Sequence, residues 1–330
     1  MTKVSIKDIA REVGVSIASV SIVLNNKNQN NRVSQETAQR IIDKAAELNY
    51  MPNTIGKALK MGRSKTLGLI IADISNVFFG TLALHVQEYA EQKGYTVIIA
   101  NTNEEVTKMQ KMVRLLKSRQ VDGLIITPAE DSEELIGELI KEKIPLTLVD
   151  RRFPNLKTNS VLINNYEISY EATKKLLEKS CCKLACVAYK QNHFHIQERI
   201  RGFKDALKES GNNNPIIKEV RYENLQEDME KCIHELIEEE KNIDGIFFVT
   251  NTISVFGLKE MSKYHFDYQK QLNLFCFDES DLFYILPFKV PFVKQPIKMM
   301  AEKAVELVVK QIENKDGIAK QYVIDAEMVI

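Results

Sequence analysis

The amino-acid sequence predicts an α/β protein with a small helical N-terminal unit and a larger body built on parallel sheets. The chain has 330 residues, too many for one ordinary hydrophobic core. Its first part carries apolar residues at helical spacing, whereas from Thr66 onward short β-branched runs alternate with amphipathic stretches. That alternation is typical of parallel sheets covered by helices on both faces.

Charge is distributed unevenly along the chain, although the total is zero. Residues 1–65 contain 11 Lys and Arg against 5 Asp and Glu, a charge of +6, so residues 66–330 carry −6. A basic unit on an acidic body favours a polyanion-binding module joined to a part that binds a different partner.

Cysteine usage and hydropathy indicate the compartment. The five cysteines are odd in number and form no CxxC pair, which fits free thiols in a reducing cytosol. The N-terminus lacks the apolar core of a signal peptide, and no run approaches the ~18 apolar residues that span a bilayer. We therefore expect a soluble cytoplasmic protein with no membrane partner.

Helix signals in residues 1–50 predict a helix-turn-helix followed by a third helix. Ser5 stands in an N-cap arrangement at the start of the first helix, and Gly14 ends that helix. Ser16 is the candidate N-cap of a second short helix over residues 17–24. Ser34 caps a third, "VSQETAQRIIDKAAELNY", whose apolar face would complete a three-helix core.

The second helix has two apolar faces, of which a three-helix unit can bury only one. A helical wheel places Val20 and Val23 on the face that can pack, opposite a face of Ile17, Ala18, Ser21 and Ile22. In an isolated helix these residues could equally be core. Here the second face is left to solvent or to DNA, where short side chains allow close approach to the major groove.

Three segments of the sequence resemble the head of the lactose-repressor (LacI/GalR) family of bacterial transcription regulators: "VSIKDIAREVGVSIASVSIVLNN", "VSQETAQRIIDKAAELNYMPN" and "GKALKMGRSKTLGLIIADISN". The resemblance implies that Ile17, Ala18 and Ile22 face base edges. The family commonly has a polar residue at the last position, whereas Ile22 can contact a thymine methyl but cannot donate to guanine. Phosphate contacts would fall to Ser5, Ser16, Ser21, Asn25, Lys27 and Arg32.

Residues 51–65 form a basic linker after the third helix, where Pro52 stops it. Its helical stretch is too short to be stable alone in water, so a flexible tether is one interpretation. The resemblance implies instead a hinge helix that folds on the operator and inserts Leu59 into the minor groove, flanked by Lys57 and Lys60.

The body, residues 66–330, is expected to contain two related α/β subdomains. The first would hold "TLGLIIADI", "YTVIIAN", "DGLIIT" and "PLTLVD", and the second "NSVLINN", "KLACVAY", "DGIFFVT" and "LNLFCF". This layout resembles periplasmic sugar-binding proteins. An apolar stripe in "QPIKMMAEKAVELVVKQIEN" is better explained by packing on its own sheet than by dimerisation.

Polar residues that directly follow strands are the candidate ligand contacts, because ligands of open parallel sheets bind beyond the carboxyl ends of the strands. The resemblance adds Arg199 in "ERIRGF" and the aromatic pair of "DISNVFF", where Val77 replaces the usual Pro. These groups suit a polyol; an anionic ligand, a phosphorylated sugar or a purine, is the alternative, and Arg152 could favour it. The predicted site comprises Asn76, Phe78, Phe79, Asn101, Asp150, Arg151, Arg199, Asn251 and Asp278.

The sequence shows no catalytic motif and no nucleophile paired with a base, so we expect no enzyme and no cofactor. His193 and His195 lack companions at metal-ligand spacing, so no metal is expected. The resulting prediction is a homodimeric repressor that binds a near-palindromic DNA operator and a small effector, most simply a carbohydrate. A sugar-binding protein without DNA binding is the alternative, and the sign of the ligand's effect stays open.

Overall fold

The computed structural model describes residues 4–25, 32–51, 62–179, 181, 183–240, 243–264, 272–314 and 319–330. The chain divides into two compact units between Ser64 and Lys65. We call the first unit the head and the second the body.

The head contains the three predicted helices, α1 (Ile6–Val13), α2 (Ile17–Leu24) and α3 (Gln35–Glu47). The backbone N–H of Ser5 donates to the carboxylate of Asp8 at 3.0 Å, and Gly14 ends α1 in the left-handed conformation with φ of 73°. The side chain of Ser16 accepts from Ser19 N at 3.0 Å and so caps α2. Each helix contributes fully buried side chains to one small core, among them Ile9, Val20 and Ile41.

The body alternates strands and helices. Its strands are β1 (Thr66–Ile71), β2 (Thr96–Asn101), β3 (Gly123–Ile126), β4 (Leu146–Val149), β5 (Asn159–Ile163), β6 (Leu184–Tyr189), β7 (Ile216–Val220), β8 (Gly245–Phe248), β9 (Asn273–Phe277), β10 (Phe292–Lys294), β11 (Gln321–Ile324) and β12 (Glu327–Val329). Its helices are α4 (Val77–Gln92), α5 (Val106–Ser118), α6 (Glu133–Lys141), α7 (Asn165–Glu178), α8 (Phe194–Glu209), α9 (Leu225–His234), α10 (Asn251–Met261), α11 (Leu282–Ile285) and α12 (Ile297–Glu313). A π-helical turn, Glu235–Glu239, follows α9 directly.

The strands form two six-stranded sheets, with the order β11-β5-β4-β3-β1-β2 in the first and β12-β10-β9-β8-β6-β7 in the second. All pairs of the first sheet are parallel, and in the second only β10 with β12 is antiparallel. The central strands are buried along their whole length, as parallel sheets covered by helices require. The α/β fold and the head predicted from the sequence are confirmed.

One strand lies in a different sheet from the one predicted. The run "NSVLINN" supplies β5, which pairs with β4 in the first sheet, with Leu148 opposite Ser160. The chain enters the second subdomain only afterwards, in α7, which packs on the second sheet. A fully buried apolar strand looks the same in either sheet, so its composition did not distinguish the two.

The chain passes between the subdomains three times: from β5 to α7, from β10 to α12, and from β11 to β12. The first and third crossings are joined, because Ala326 N donates to Asn164 Oδ1 at 2.9 Å. The two sheets are thus linked by three connecting segments, two of which are joined by this bond, an arrangement typical of subdomains that move about a hinge.

Helix α12 packs on the first sheet, as its apolar stripe predicts. Ala301, Ala304 and Val308 are fully buried, and α12 contacts β3, β4, β5 and α4. A Cβ added at Gly123 would lie 2.7 Å from Val308 Cγ2, so the glycine of β3 allows the helix to approach the sheet closely. Among the residues described, no helix is long and apolar enough to cross a bilayer.

Candidate functional site

A cleft opens between the two sheets of the body, at the carboxyl ends of their strands. Asp150 directly follows β4, Asp278 directly follows β9, and both have left-handed backbones, with φ of 69° and 68°. The cleft encloses about 540 Å³ of space when its open mouth is included. Its walls are formed by Asp73, Asn76, Phe78, Phe79, Glu104, Asp150, Arg151, Tyr189, Gln191, His195, Ile196, Arg199, Tyr222, Thr250, Thr252, Asp278 and Gln295.

Asp278 is a buried carboxylate held in place by the second subdomain and by one crossing. Its Oδ1 accepts from Gln295 Nε2 at 2.6 Å, and its Oδ2 accepts from Asn251 N at 3.3 Å. Burial raises the pKa of Asp278, an effect opposed by the charge of Arg199 and by these hydrogen bonds. A carboxylate can accept more hydrogen bonds than these two, so it retains acceptor sites for a ligand.

Arg199 lies on α8 between the two aspartates and is 2 % exposed. Its Nε donates to Asn165 Oδ1 at 2.8 Å, its Nη1 donates to Val249 O at 2.7 Å, and its guanidinium carbon lies 3.5 Å from the ring centroid of Phe277. Burial lowers the pKa of Arg199 to about 10, although the charges of Asp278 and Asp150 act in the opposite sense. A guanidinium has five N–H groups, so donors remain beyond these two bonds.

A second buried guanidinium, that of Arg151, is paired within the protein. Its Nη1 and Nη2 each donate to one oxygen of Glu104 at 2.6 Å, and Nη1 also lies 3.1 Å from His193 Nε2. Arginine is only a donor, so His193 Nε2 is the acceptor of that contact. We call Glu104, Arg151 and His193 the Glu104 cluster.

The charges of the Glu104 cluster are strongly coupled. Burial alone would raise the pKa of Glu104, but the charge and hydrogen bonds of Arg151 outweigh it and hold that pKa well below its usual range. Burial and the charge of Arg151 together lower the pKa of His193, in agreement with its role as acceptor. Glu104 and Arg151 come from the first subdomain and His193 from the second, so the cluster joins the two subdomains.

Further contacts cross the cleft directly. Asn76 Nδ2 donates to Thr252 Oγ1 at 3.1 Å, and the Tyr222 hydroxyl donates to Asp73 Oδ2 at 3.3 Å. Aromatic rings line both sides: Phe78 and Phe79 meet edge to face at 5.1 Å between centroids, and Tyr189 lies 5.8 Å from Tyr222. The walls therefore combine apolar ring faces with closely spaced polar groups.

The structure brings most of the predicted ligand residues together. Asn101 and Asn251 lie outside the cleft lining: Asn101 Oδ1 accepts from Ile74 N at 2.8 Å, and Asn251 Nδ2 donates to Glu279 O at 2.8 Å. Asn76 also caps α4 by accepting from Phe78 N at 2.9 Å, so the helix begins regularly with Val77 in place of proline. The predicted residues that line the cleft are Asn76, Phe78, Phe79, Asp150, Arg151, Arg199 and Asp278.

Several lining residues were not predicted. Tyr189, Tyr222, Thr250 and Gln295 end strands or lie at most two residues beyond them, so the strand-end rule that found Asp150 could have found them. Glu104 lies further from the end of β2 and next to a second glutamate, so it carries no such signal in a single sequence. His195 was considered as a metal ligand and set aside; among the described residues no group of three or more His, Cys, Asp or Glu is placed to hold a metal.

Within the head, helix α2 is the candidate nucleic-acid interface. Val20 and Val23 are buried, whereas Ala18 is exposed and Ile17 is 44 % exposed. Ile22 is half-buried, because it also packs against the core of the head. The two faces predicted for α2 are thus present, with Ile22 at their boundary.

The residues predicted to contact phosphates differ in how their side chains are engaged within the head. Ser5 and Ser16 already serve as helix caps, Asn25 Nδ2 donates to Ser21 O at 2.8 Å, and Arg32 is exposed. The remaining predicted DNA contacts lie outside the described residues: Lys27, Lys57, Leu59 and Lys60.

A helix-turn-helix head and a body with a polar cleft between two parallel sheets define a ligand-responsive DNA-binding regulator. Residues 5–53 match the family described as "Bacterial regulatory proteins, lacI family", and residues 64–264 match "Periplasmic binding proteins and sugar binding domain of LacI family". The chain belongs to the LacI family of bacterial transcription regulators. The resemblance noted in the sequence is confirmed.

One relative supports this assignment over nearly the whole chain, and solved structures share the fold. A protein named ribose operon repressor from Halalkalibacterium halodurans is 31% identical, covering 99% of this chain and 96% of the relative. The lac repressor dimer bound to operator and the anti-inducer ONPF has a TM-score of 0.86 at 17% identity, covering 100% of this chain and 98% of that one. A LacI transcriptional regulator from Alkaliphilus metalliredigens QYMF complexed with D-xylulofuranose has a TM-score of 0.70 at 23% identity, covering 81% and 97%.

Stability should depend on pH through the histidines of the cleft. Burial and the charges of Arg151 and Arg199 hold the pKa of His195 well below its usual value, so the unfolded chain binds a proton that the folded chain does not. Unfolding free energy should therefore fall as pH drops below about 6.5, by up to about 1.4 kcal/mol per unit for each such histidine. Urea unfolding between about pH 7 and pH 5 measures this slope. His195→Gln should flatten it, and an unchanged slope in the variant would contradict the assignment.

Proposed function

We propose that this regulator is a homodimeric repressor whose affinity for a near-palindromic operator is controlled by an uncharged sugar bound in the cleft. We assign residues 1–50 to DNA reading, residues 51–65 to a hinge, and residues 66–330 to effector binding and dimerisation. The charge balance of the cleft carries the proposal of a sugar.

The two arginines that follow strand β4, Arg151 and Arg152, are unsuited to holding an anion in the cleft. Arg151 is paired bidentately with Glu104. Arg152, which the sequence offered for an anionic ligand, lies outside the cleft lining; its Nη1 donates to Gln321 Oε1 at 2.7 Å and its guanidinium lies 4.4 Å from the ring centroid of Phe194. Arg199 is left as the cation that faces the ligand space.

Arg199 is outnumbered by carboxylates. Asp73, Asp150 and Asp278 line the same space, so a phosphate entering it would meet more negative than positive charge. A neutral polyol instead gains from both kinds of group, because carboxylates accept its hydroxyl protons and the guanidinium donates to its oxygens. The rings of Phe78, Phe79 and Tyr222 offer apolar faces to the C–H side of a sugar.

Two of the comparisons support the same effector class, whereas other relatives are named HTH-type transcriptional repressor PurR and another solved structure is in complex with fructose 1-phosphate. One relative is named for a ribose operon, and one solved structure of the same fold contains D-xylulofuranose. A purine is the second candidate, because the paired rings of Tyr189 and Tyr222 would also stack on a planar base.

Effector control follows from the crossings and the bonds that span the cleft. A ligand that binds one conformation of the cleft, more open or more closed, more tightly than the other shifts the population toward that conformation. The effect on operator affinity and the effect of operator on ligand affinity must then be equal in free energy. The sign of the coupling would be read from operator binding with and without the sugar.

The effector proposal is tested by ligand binding to the full-length protein. A thermal-shift panel of sugars, sugar phosphates, purines and nucleosides should give its hits among neutral sugars, with a rise of about 5–10 °C at 100 times Kd. Asp278→Asn should weaken the best hit by about ten- to hundredfold in calorimetry, since hydrogen bonds to charged groups contribute about 1.5–3 kcal/mol. Glu306→Gln, which removes a carboxylate of α12 paired with lysines away from the cleft lining, is the matched control. Hits confined to purines or phosphates would overturn the sugar proposal.

We propose that the side chains that contact DNA bases at the centre of the interface are largely apolar. Ile17, Ala18 and Ile22 present alkyl groups, which contact thymine methyls and donate no hydrogen bonds. Introducing a donor at the boundary position should therefore create a preference that the natural protein lacks.

Ile22→Arg should shift the preferred base toward guanine at one position in each half-site, because a bidentate Arg–guanine contact discriminates by about 1–3 kcal/mol. Binding selection from random DNA measures the consensus. Ile42→Arg, at a 48 % exposed position of α3, adds the same charge elsewhere on the head and should keep the original consensus. An unchanged consensus in the Ile22 variant would refute the assigned role.

The dimer surface is proposed to include the β2 edge of the first sheet. β2 is the terminal strand of that sheet and exposes Ile98 and Ile99, while Val77 and Leu84 are exposed on the adjacent α4. An apolar edge strand left open is a site of uncontrolled pairing, so a folded protein covers it. A second copy of the chain is the occupant that a two-fold operator complex requires.

Ile99→Lys should convert the dimer to a monomer, because it introduces a charge at the centre of this edge. Light scattering after size exclusion measures the mass. Val323→Lys makes the same change on β11, the opposite edge strand of the same sheet, where valine is 53 % exposed, and should leave the mass unchanged. Dimers of equal stability in both variants would place the interface elsewhere.

A further inference from the structure

The Glu104 cluster has the geometry of an occupied anion site. The two oxygens of Glu104 meet the two terminal nitrogens of Arg151 at 2.6 Å each, in the forked arrangement by which arginine binds carboxylates and phosphates. His193 Nε2 and Pro128 O also lie against Nη1, at 3.1 Å and 3.2 Å. The group that fills the site belongs to the protein itself.

We propose that Glu104 is a specificity-determining residue: its carboxylate occupies the anion position on Arg151 and thereby makes the cleft select uncharged sugars over their phosphates. This inference rests on the proposed function in taking the cleft as the effector site. It adds to the general excess of carboxylates in the cleft one side chain that blocks the anion position on Arg151.

The backbone shows that this placement is built in. Asn103 and Glu104 are consecutive non-glycine residues in the left-handed region, with φ of 52° and 61°. Such conformations are unfavourable for side chains with a Cβ and persist where the surroundings fix them. The turn between β2 and α5 therefore adopts a costly shape that carries Glu104 into the cleft, and the bidentate bond to Arg151 offsets that cost.

Burial makes the exchange for an external anion unfavourable. The side chains of Glu104 and Arg151 are 10 % and 7 % exposed, so the pair is poorly screened by water and salt. Asp150 Oδ2 lies 3.4 Å from Arg151 Nε and adds a second negative charge beside the guanidinium. A phosphate could pair with Arg151 only by displacing Glu104 into a cleft that already contains Asp73 and Asp278.

Removing the charge of Glu104 while keeping its shape should open the site. Glu104→Gln leaves one amide oxygen, which can accept from only one of the two terminal nitrogens of Arg151. The other nitrogen then lacks its acceptor, and the guanidinium loses the negative charge of Glu104. In the full-length protein, Glu104→Gln should bind inorganic phosphate and pentose or hexose monophosphates at least tenfold more tightly than the natural protein. Calorimetric titration measures both proteins at constant ionic strength, set with chloride.

Two controls isolate the role of Arg151. Asp73→Asn removes one negative charge from the same cleft but leaves Arg151 paired with Glu104, so it should give a much smaller gain in phosphate affinity than Glu104→Gln. Adding Arg151→Met to the Glu104→Gln variant should abolish the gain. Should Glu104→Gln not fold, Glu104→Asp keeps the charge but is one methylene too short for both bonds, and it should show a smaller gain in the same assay.

Two results would overturn the proposal: no gain in phosphate affinity in a folded Glu104→Gln variant, or an equal gain in Asp73→Asn. The proposed sugar effector is tested separately, by measuring the binding of neutral sugars to the natural protein. A gain of phosphate affinity in Glu104→Gln, without sugar binding by the natural protein, would contradict the proposed sugar effector and support the role of Glu104.

Discussion

The organisation of the body depends on the burial of one positive charge, that of Arg199. Its guanidinium bonds to Asn165 at the first crossing and to Val249 after β8, and it stacks on Phe277 at the end of β9. A buried cation is tolerated only with such partners and with nearby negative charge. Asp150 supplies that charge from the first subdomain and Asp278 from the second. The two sheets therefore meet around a charge that neither would accommodate alone.

This arrangement makes ligand recognition and subdomain closure two aspects of one process. The groups that would bind a sugar, such as Asn76 and Asp73, make direct bonds to Thr252 and Tyr222 across the cleft. A ligand that takes over these bonds exchanges one set of cross-cleft contacts for another. Because the chain crosses between the sheets three times, the difference between the two sets acts on a single hinge rather than on scattered loops.

The sequence predicted what local chemistry determines and missed what depends on the meeting of distant segments. Ser5, Ser16 and Gly14 end or begin helices through contacts within a few residues, so the head was predictable. Asp150 and Asp278 were found because they follow buried strands. Glu104 stands beside Glu105, which occupies the N-cap position of α5 without a side-chain cap bond, and nothing in the local sequence distinguishes the two carboxylates. Only the fold shows that Glu104 faces an arginine 47 residues further along the chain.

The charge of the partner explains why the two arginines of the cleft, Arg151 and Arg199, have different roles although both are buried. Arg199 bonds to neutral oxygens of Asn165 and Val249, so its charge remains available to the ligand space and is shared with two aspartates. Arg151 bonds to a full carboxylate, so its charge is cancelled where it lies. Selectivity in this cleft thus depends less on the number of arginines than on whether each one's partner is an ion or a dipole, and one uncharged substitution at Glu104 would change that partner.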